Sequence, residues 1–319
     1  MAERNKSIDL EYAQSHTDMG VEPMENIQDI RPYILALFQK AQISCSNEQV
    51  NKLQRYLELL LEWNRKINLT AITEPKQVAV KHFLDSALLL QHIGEIRENC
   101  DTHAGNVDTG AVNSIKTESI SGNDTIGKIS KEVDASGLRV IDVGTGAGFP
   151  GLVLKILVPS LKVTLLDSLG KRVDWLNEVA ARLGLDGVEA IHARAVCHEL
   201  KIEAETIHAR AEEAGRNPEL RCEFDIATAR AVAPLNLLTE YCMPFVKMGG
   251  SFFAMKGPSG GQELEEARYA IGQLGGRILC SEEYELPGGD KRSLLEIRRV
   301  KPLSEVYPRP TAKIKKKPL

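Results

Sequence analysis

The residues that could do chemistry in this chain gather around one turn. Val140-Ile141-Asp142-Val143 reads as an apolar strand that runs into Gly144-Thr145-Gly146-Ala147-Gly148-Phe149-Pro150-Gly151. Glycines at this density admit left-handed backbone and let a ligand come close to the main chain. Pro150 then stands where a proline opens a helix. About twenty residues beyond the glycines, a second strand, Val163-Thr164-Leu165-Leu166, ends in Asp167, whose carboxylate can accept hydrogen bonds from both hydroxyls of a ribose. Such a turn with an acidic strand end predicts an adenosine-type cofactor.

Which cofactor is decided by register. Gly146-x-Gly148-x-x-Gly151 literally matches the dinucleotide fingerprint, which would make the chain a nicotinamide oxidoreductase. In that fingerprint the first glycine closes the strand and a helix N-terminus faces a pyrophosphate, whereas here Asp142 and Gly144 come earlier. An acid at this strand end suits a ligand with an ammonium group and repels a pyrophosphate. The reading that follows is a methyltransferase using S-adenosylmethionine, with Asp142 near the ammonium of its amino-acid end.

The elements that must carry this turn are legible around it. Alternation of strand and helix patterns after residue 138 (strand 138–143, helix 149–157, strand 162–167, helix 171–183, a third strand at 188–194 or 204–210, then strands at 224–229 and 250–255) predicts an α/β fold, Rossmann-like, with a mostly parallel doubly wound sheet. Segments 277–286 and 293–299 are too close for a helical crossover and are expected to pair as a C-terminal antiparallel hairpin around Pro287-Gly288-Gly289. The third strand is ambiguous because Glu189-Ala190-Ile191-His192-Ala193-Arg194-Ala195 recurs as Glu205-Thr206-Ile207-His208-Ala209-Arg210-Ala211. Upstream, Ser46 with Gln49 fits a capping box, and Val50, Leu53, Leu57 and Leu60 recur at helical spacing up to the Trp63-Asn64-Arg65 segment. A second helical pattern runs from 76 to 92. The chain thus divides into a polar extension (1–26) expected to be disordered, an N-terminal helical unit (27–93), a low-complexity insertion (94–137), the cofactor-binding domain (138–300) and a basic C-terminal tail (301–319).

Composition narrows the class. The 319 residues are 43% hydrophobic and 26% charged, with a net charge of -4, as in a globular protein with a sizeable core. The six cysteines show neither a CxxC pair nor a Cys/His metal spacing, so a reduced compartment and no structural zinc or other metal are expected. No apolar run approaches the ~20 residues that span a bilayer, and the expected location is cytoplasmic, without a membrane. The charge is unevenly spread: residues 298–319 hold eight Lys/Arg against Glu305 alone, a net of +7 out of -4, leaving -11 on the rest. Such a cluster, Arg309, Lys313, Lys315, Lys316 and Lys317 within it, either contacts RNA phosphates or is a solvated, disordered terminus.

DVGTGAGFPG at 142–151, DSLGKRV at 167–173, Trp63-Asn64 followed by Asn68-Leu69-Thr70, His82, Asp85-Ser86, Thr228-Ala229-Arg230-Ala231 and Lys256 together resemble the small-subunit ribosomal RNA methyltransferase G family, also called glucose-inhibited division protein B. The resemblance spans roughly residues 28–93 and 138–319. It implies S-adenosylmethionine-dependent methylation at N7 of one guanine in 16S ribosomal RNA, free or in a small-subunit assembly particle. Carried over by position, it puts cofactor contacts on Gly144, Phe149, Ala211-Glu212 and Arg230. Insertion 94–137 and the 16-residue duplication depart from the family pattern, and the adenine-ring contact is expected at the second copy because only there does an acid, Glu212, follow.

Methylation at N7 removes no proton, so no general base is expected; alignment and charge placement would do the work. Arg230 or Lys256 could orient the base through its O6, with a cofactor or phosphate contact the other role for Arg230. His82, three and four residues before Asp85 and Ser86, shares a helical face with them and belongs either to a structural hydrogen-bond cluster or to RNA binding. Asn68 either caps an element or borders the pocket. Lys171 and Arg172 open a helix where the dipole gains nothing from cations, which favours phosphate contact. Trp63 is expected in the core. A noncatalytic RNA-binding protein retaining the fold, or a small-molecule methyltransferase, are the alternatives.

Overall fold

The computed structural model describes residues 27–93, 137–192, 211–230 and 232–319. Extension 1–26, insertion residues 94–136 and much of the duplicated segment lie outside them. A seven-stranded sheet forms the middle layer, from β1 (Arg139–Val143), β2 (Lys162–Asp167), β3 (Val188–His192), β4 (Phe224–Arg230), β5 (Val246–Lys256), β6 (Gly276–Leu286) and β7 (Asp290–Arg299). Its order is β3-β2-β1-β4-β5-β7-β6. The first five strands are parallel, and β7 pairs antiparallel with both β5 and β6. The chain winds outward from β1 to β3, returns to β4 and winds the other way, so the C-terminal ends of β1 and β4 form a topological switch point, where open α/β sheets leave a crevice for ligands.

The helices before the sheet are α1 (Arg31–Lys40), α2 (Asn47–Ile67), α3 (Pro75–Val78), a π-helical turn (Ala79–Leu84) and α4 (Asp85–Leu88). Ser46 accepts from the Gln49 amide and the Gln49 side chain accepts from the Ser46 amide, closing the capping box. Helix α2 runs past Trp63 to Ile67 because Arg65 and Lys66 suit its C-terminal dipole and Asn68 stops it in left-handed backbone. Within the sheet region come α5 (Gly151–Leu157), α6 (Gly170–Arg182), α7 (Ala211–Ala214), α8 (Leu235–Cys242), α9 (Gly260–Gln273) and, after β7, α10 (Thr311–Lys316).

Two cores cover the two sheet faces. On one, Phe38, Tyr56, Leu57 and Phe83 from the N-terminal helices pack with Leu152, Trp175 and Leu176 from α5 and α6 and with Val140, Phe253 and Leu294 from the strands. On the other, Leu235, Leu238, Leu264, Ile271 and Ile314 close over Ile141, Ala227, Phe252 and Leu295. Strands buried on both sides explain the near-continuous apolar runs of β1, β2 and β5.

The third strand uses the first copy of the repeat: Val188–His192 pairs in register with Val163–Asp167. The second copy enters the described residues only at Ala211, which opens α7. The basic C-terminal segment is folded rather than solvated. Arg216 donates to the carbonyls of Val306 and Pro308, Arg221 to that of Tyr307, and Ile314 is buried. Among the described residues no helix is long and apolar enough to cross a membrane.

Candidate cofactor site at the sheet switch point

Backbone geometry at the turn explains its glycines. Gly144 lies at φ +73°, and a Cβ there would sit 2.8 Å from Cγ2 of Val232, in the loop after β4. At Gly148, φ +107°, a Cβ would meet the Tyr56 hydroxyl at 2.6 Å. The turn amides point inward. Gly144 and Thr145 donate to the Leu166 carbonyl, Gly148 and Phe149 to that of Thr145, Gly146 to Oδ2 of Asp167, and Gly151 to Oδ2 of Asp142. A dinucleotide site turns such donors toward a pyrophosphate; these are spent within the protein. The Ala147 carbonyl takes both the Tyr56 hydroxyl at 2.7 Å and the Trp175 indole at 3.0 Å. Neither aromatic stood out in the sequence as part of the site, although Tyr56 lies in the apolar stripe of α2.

Asp142 is a pin of the turn, not an ammonium contact. It is fully buried, accepts from Thr145, Gly151 and Thr228, and burial pushes its carboxyl up to about 6. That corrects the expectation that it approaches a ligand's ammonium. Asp167, at the end of β2 as expected, accepts from the Gly146 and Leu169 amides, and Arg172 reaches it at 3.4 Å. Arg172 therefore leans on the site's own carboxylate. Lys171, one position earlier, is exposed.

Phe149 is buried in an aromatic stack, with His82 parallel at 4.5 Å on its ring, Tyr56 at 5.2 Å, and the Arg230 guanidinium 5.1 Å over it. Its side chain is core, so any cofactor contact there falls to its main chain. Arg230, leaving the C-terminal end of β4, donates to Asp85 and to the Lys81 carbonyl through Nη1 and to Nδ1 of His82 through Nη2. Nδ1 of His82 also lies 3.1 Å from the Lys81 carbonyl, and Nε2 lies 2.9 Å from Thr70 Oγ1, so both ring nitrogens are engaged. Burial, then the charge of Arg230, lowers the His82 pKa to about 3 and keeps the ring neutral. His82 is buried in a structural hydrogen-bond cluster, the first of the two roles expected for it. Tyr284, from β6, completes the cluster by donating to the other oxygen of Asp85 at 2.7 Å.

Lys256 closes β5. It is buried, with its ammonium on the Ala233 carbonyl and on Glu263, both at 2.7 Å, and so pins the loop after β4 to α9. Arg309, expected among the solvent-facing cations of the tail, is instead buried and forms a two-pronged pair with Glu240, which has no exposed surface. Lys313, Lys315, Lys316 and Lys317 remain exposed on and beside α10. Asn68 is exposed at the end of α2, where its left-handed backbone is the capping role; Asn64 instead closes the following turn by pairing with both backbone groups of Thr70. Ala211 is half-buried and Glu212 buried at the start of α7. Trp63 is half-buried against Trp175.

The sequence profile of the family described as rRNA small subunit methyltransferase G matches residues 49–111, 124–196 and 194–281, its last two segments meeting within the duplication. Curated relatives named "Ribosomal RNA small subunit methyltransferase G" include one from Alkaliphilus metalliredigens, 40% identical over 86% of this chain and 92% of its own length. Another, from Alkaliphilus oremlandii, is 38% identical over 87% of this chain and 93% of its own. Among solved structures, the precorrin-6y C5,15-methyltransferase of Geobacter metallireducens superposes with a TM-score of 0.37 at 10% identity, over 51% of this chain and 80% of that one, a likeness too distant to carry any argument. With the profile covering most of the chain and such relatives spanned nearly end to end, the chain belongs to the ribosomal RNA small subunit methyltransferase G family.

Proposed function

We propose that this chain methylates N7 of one guanine in 16S ribosomal RNA, with S-adenosylmethionine as methyl donor. The observation that carries the reading is the family membership, which covers the turn and its flanks without a break. The switch-point turn supports it: amides directed inward leave no cradle for a pyrophosphate, while Asp167, with three hydrogen bonds on a carboxylate that has about four acceptor positions, keeps capacity for a ribose hydroxyl. When bound, the donor supplies an electrophilic methyl; its S–C bond breaks as the N7–C bond forms, and positive charge passes from sulfur to purine.

The chain's own part is placement. Gly144 lets the backbone stand close to the ligand, Asp167 holds the ribose side, and Ala211-Glu212 flanks the adenine. Arg230, held in place by Asp85, His82 and Tyr284, sets the electrostatic field at the end of β4. No described side chain here is poised as a general base: His82 has both nitrogens engaged and Asp142 is sealed in the turn. Transfer to a lone pair that loses no proton needs none. RNA is engaged through Lys171 and the exposed lysines of the C-terminal segment, by shape and phosphates, in the cytoplasm, on free 16S RNA or on an assembling small subunit.

Two measurements test this together. Purified protein with S-adenosylmethionine and 16S RNA should place N7-methylguanine at one position, and Asp167→Ala should weaken cofactor binding in calorimetry by at least about tenfold, as loss of a charged hydrogen bond implies. Cofactor binding with no methyl in the RNA would favour the noncatalytic RNA-binding alternative. Binding of NADH in place of S-adenosylmethionine would return the oxidoreductase reading.

A further inference from the structure

Away from the switch point, at the outer edge of the sheet, three potential metal ligands converge that no spacing in the sequence brings together. Nε2 of His92, Sγ of Cys280 and a carboxylate oxygen of Glu282 all lie within 4.8 Å of one another, and His92 Nε2 is 3.2 Å from Glu282 Oε2. All three side chains are half-buried. His92 sits in the last helical turn before the insertion, with its ring against Phe253 at 6.1 Å. Cys280 and Glu282 belong to β6.

The backbone is shaped to make this cluster. In β6, Ile278 pairs with Ile297 and Cys280 with Glu296, so two steps along β6 match one step along β7. This bulge inserts one residue, Leu279, and turns the strand over. Ile278 packs into the core under α9. From Cys280 onward the even-numbered residues face the N-terminal helices instead, as shown by Tyr284 on Asp85 and by Glu282 opposite Leu294. Without the bulge Cys280 and Glu282 would both lie on the face of Ile278, toward α9 and away from His92.

We propose that His92, Cys280 and Glu282 bind a zinc-class divalent cation, which clamps the outer strand of the C-terminal hairpin to the last turn of the N-terminal helices. Imidazole, thiolate and carboxylate together select borderline metals over calcium or magnesium. Three protein ligands with water as the fourth make a tetrahedral site. Bonds of about 2.0–2.3 Å place adjacent ligand atoms roughly 3.3–3.8 Å apart, so the His92–Glu282 pair, at 3.2 Å, is already at binding distance, and the Cys280 sulfur, within 4.8 Å of both, needs to close by at most about an ångström. Binding displaces the thiol proton, so affinity rises with pH.

The test uses the full chain, reduced and freed of metal by chelator, titrated with cobalt(II) and zinc(II). One equivalent should bind, cobalt should give a thiolate charge-transfer absorption in the near ultraviolet, and zinc should raise the thermal midpoint. Cys280→Ser should remove the absorption, and His92→Ala and Glu282→Gln should each weaken binding at least tenfold, since even partners behind the ligands contribute about 10–100-fold. If Cys280→Ser does not fold, the other two variants decide. Absence of stoichiometric binding by the wild-type chain would overturn the site and leave His92 and Glu282 as an ion pair. So would binding that survives all three variants, or that is lost in Cys100→Ser with His103→Ala, which would put the ion in the insertion.

Discussion

Tyr284, on the outer hairpin, donates its hydroxyl to Oδ1 of Asp85, 199 positions earlier, at 2.7 Å. The same carboxylate takes Arg230 on its other oxygen at 3.2 Å, so a residue at the sheet edge determines how firmly the arginine at the end of β4 is held. Tyr284→Phe should cost about 1.5–3 kcal/mol, the worth of a hydrogen bond to a charged group, read by urea unfolding. Asp85→Ala, which leaves the guanidinium without its ion partner, should cost about 3–5 kcal/mol and reduce methyl transfer far more than Tyr284→Phe does. Equal activity of Asp85→Ala and wild type would mean that Arg230 needs no anchoring.

Two buried groups give this fold opposed responses to acid. His82, lowered from 6.5 to about 3, is neutral when folded but takes up a proton when unfolded, so its stabilising contribution is present above pH 6.5 and is lost as pH falls toward 3. Asp142, raised from 3.8 to about 6, works the other way: its contribution is full below pH 3.8 and is lost as pH rises through 6. In His82→Gln only the second response remains. The stability of wild type minus variant should fall by up to about 1.4 kcal/mol per pH unit between 6.5 and 4. Parallel unfolding profiles from pH 7.5 to 4.5 would show that His82 titrates alike in the folded and unfolded chain, with no lowered pKa.

The C-terminal cations separate into one that holds the fold and several that face solvent. Arg309→Met leaves Glu240 buried and unpaired and should cost about 3–5 kcal/mol without changing the salt dependence of RNA binding. Replacing Lys315, Lys316 and Lys317 by alanine should leave the unfolding midpoint in place. It should flatten the slope of log affinity against log salt by up to about 2 for single-stranded contacts, at about 0.7 per phosphate. An unchanged slope across a salt series would remove these lysines from the RNA surface.

The duplication offers a deletion that should be tolerated. Removing residues 196–211 joins Ala195 to Glu212 and gives the spacing that the resemblance to the family implies, near where two matched segments of its profile overlap. Loop closure changes by only about 0.6 kcal/mol per doubling of length, so the variant should fold and still bind S-adenosylmethionine in calorimetry. Glu212→Ala should lower that affinity. A deletion variant that folds without binding would assign the adenine side of the pocket to the removed segment.

What could be read without coordinates was local. The Ser46–Gln49 cap, β1 and β2 with their turn, the helix after Gly170 and the hairpin around Gly288 all follow from periodicity, capping and turn chemistry acting over a few residues, and the alternation of elements then implies the parallel sheet. Even so, local reading passed over α1, α8, α9 and the π-helical turn at Ala79–Leu84, where partners distant in the chain complete the hydrophobic face. The partners of charged and polar groups were decided only when strands and helices packed. Asp142 and Asp167 look alike as acids ending strands, yet one is sealed by Thr145 and Gly151 and the other lies beside the turn. Lys256 and Arg309 look like free cations until Glu263 and Glu240 arrive from 7 and 69 positions away. His92 meets Cys280 and Glu282 only because a bulge turns one strand over. Sequence spacing sets which side chains share a face; burying those faces against one another sets which charges meet, since a buried ion must find its counter-charge wherever in the chain that lies.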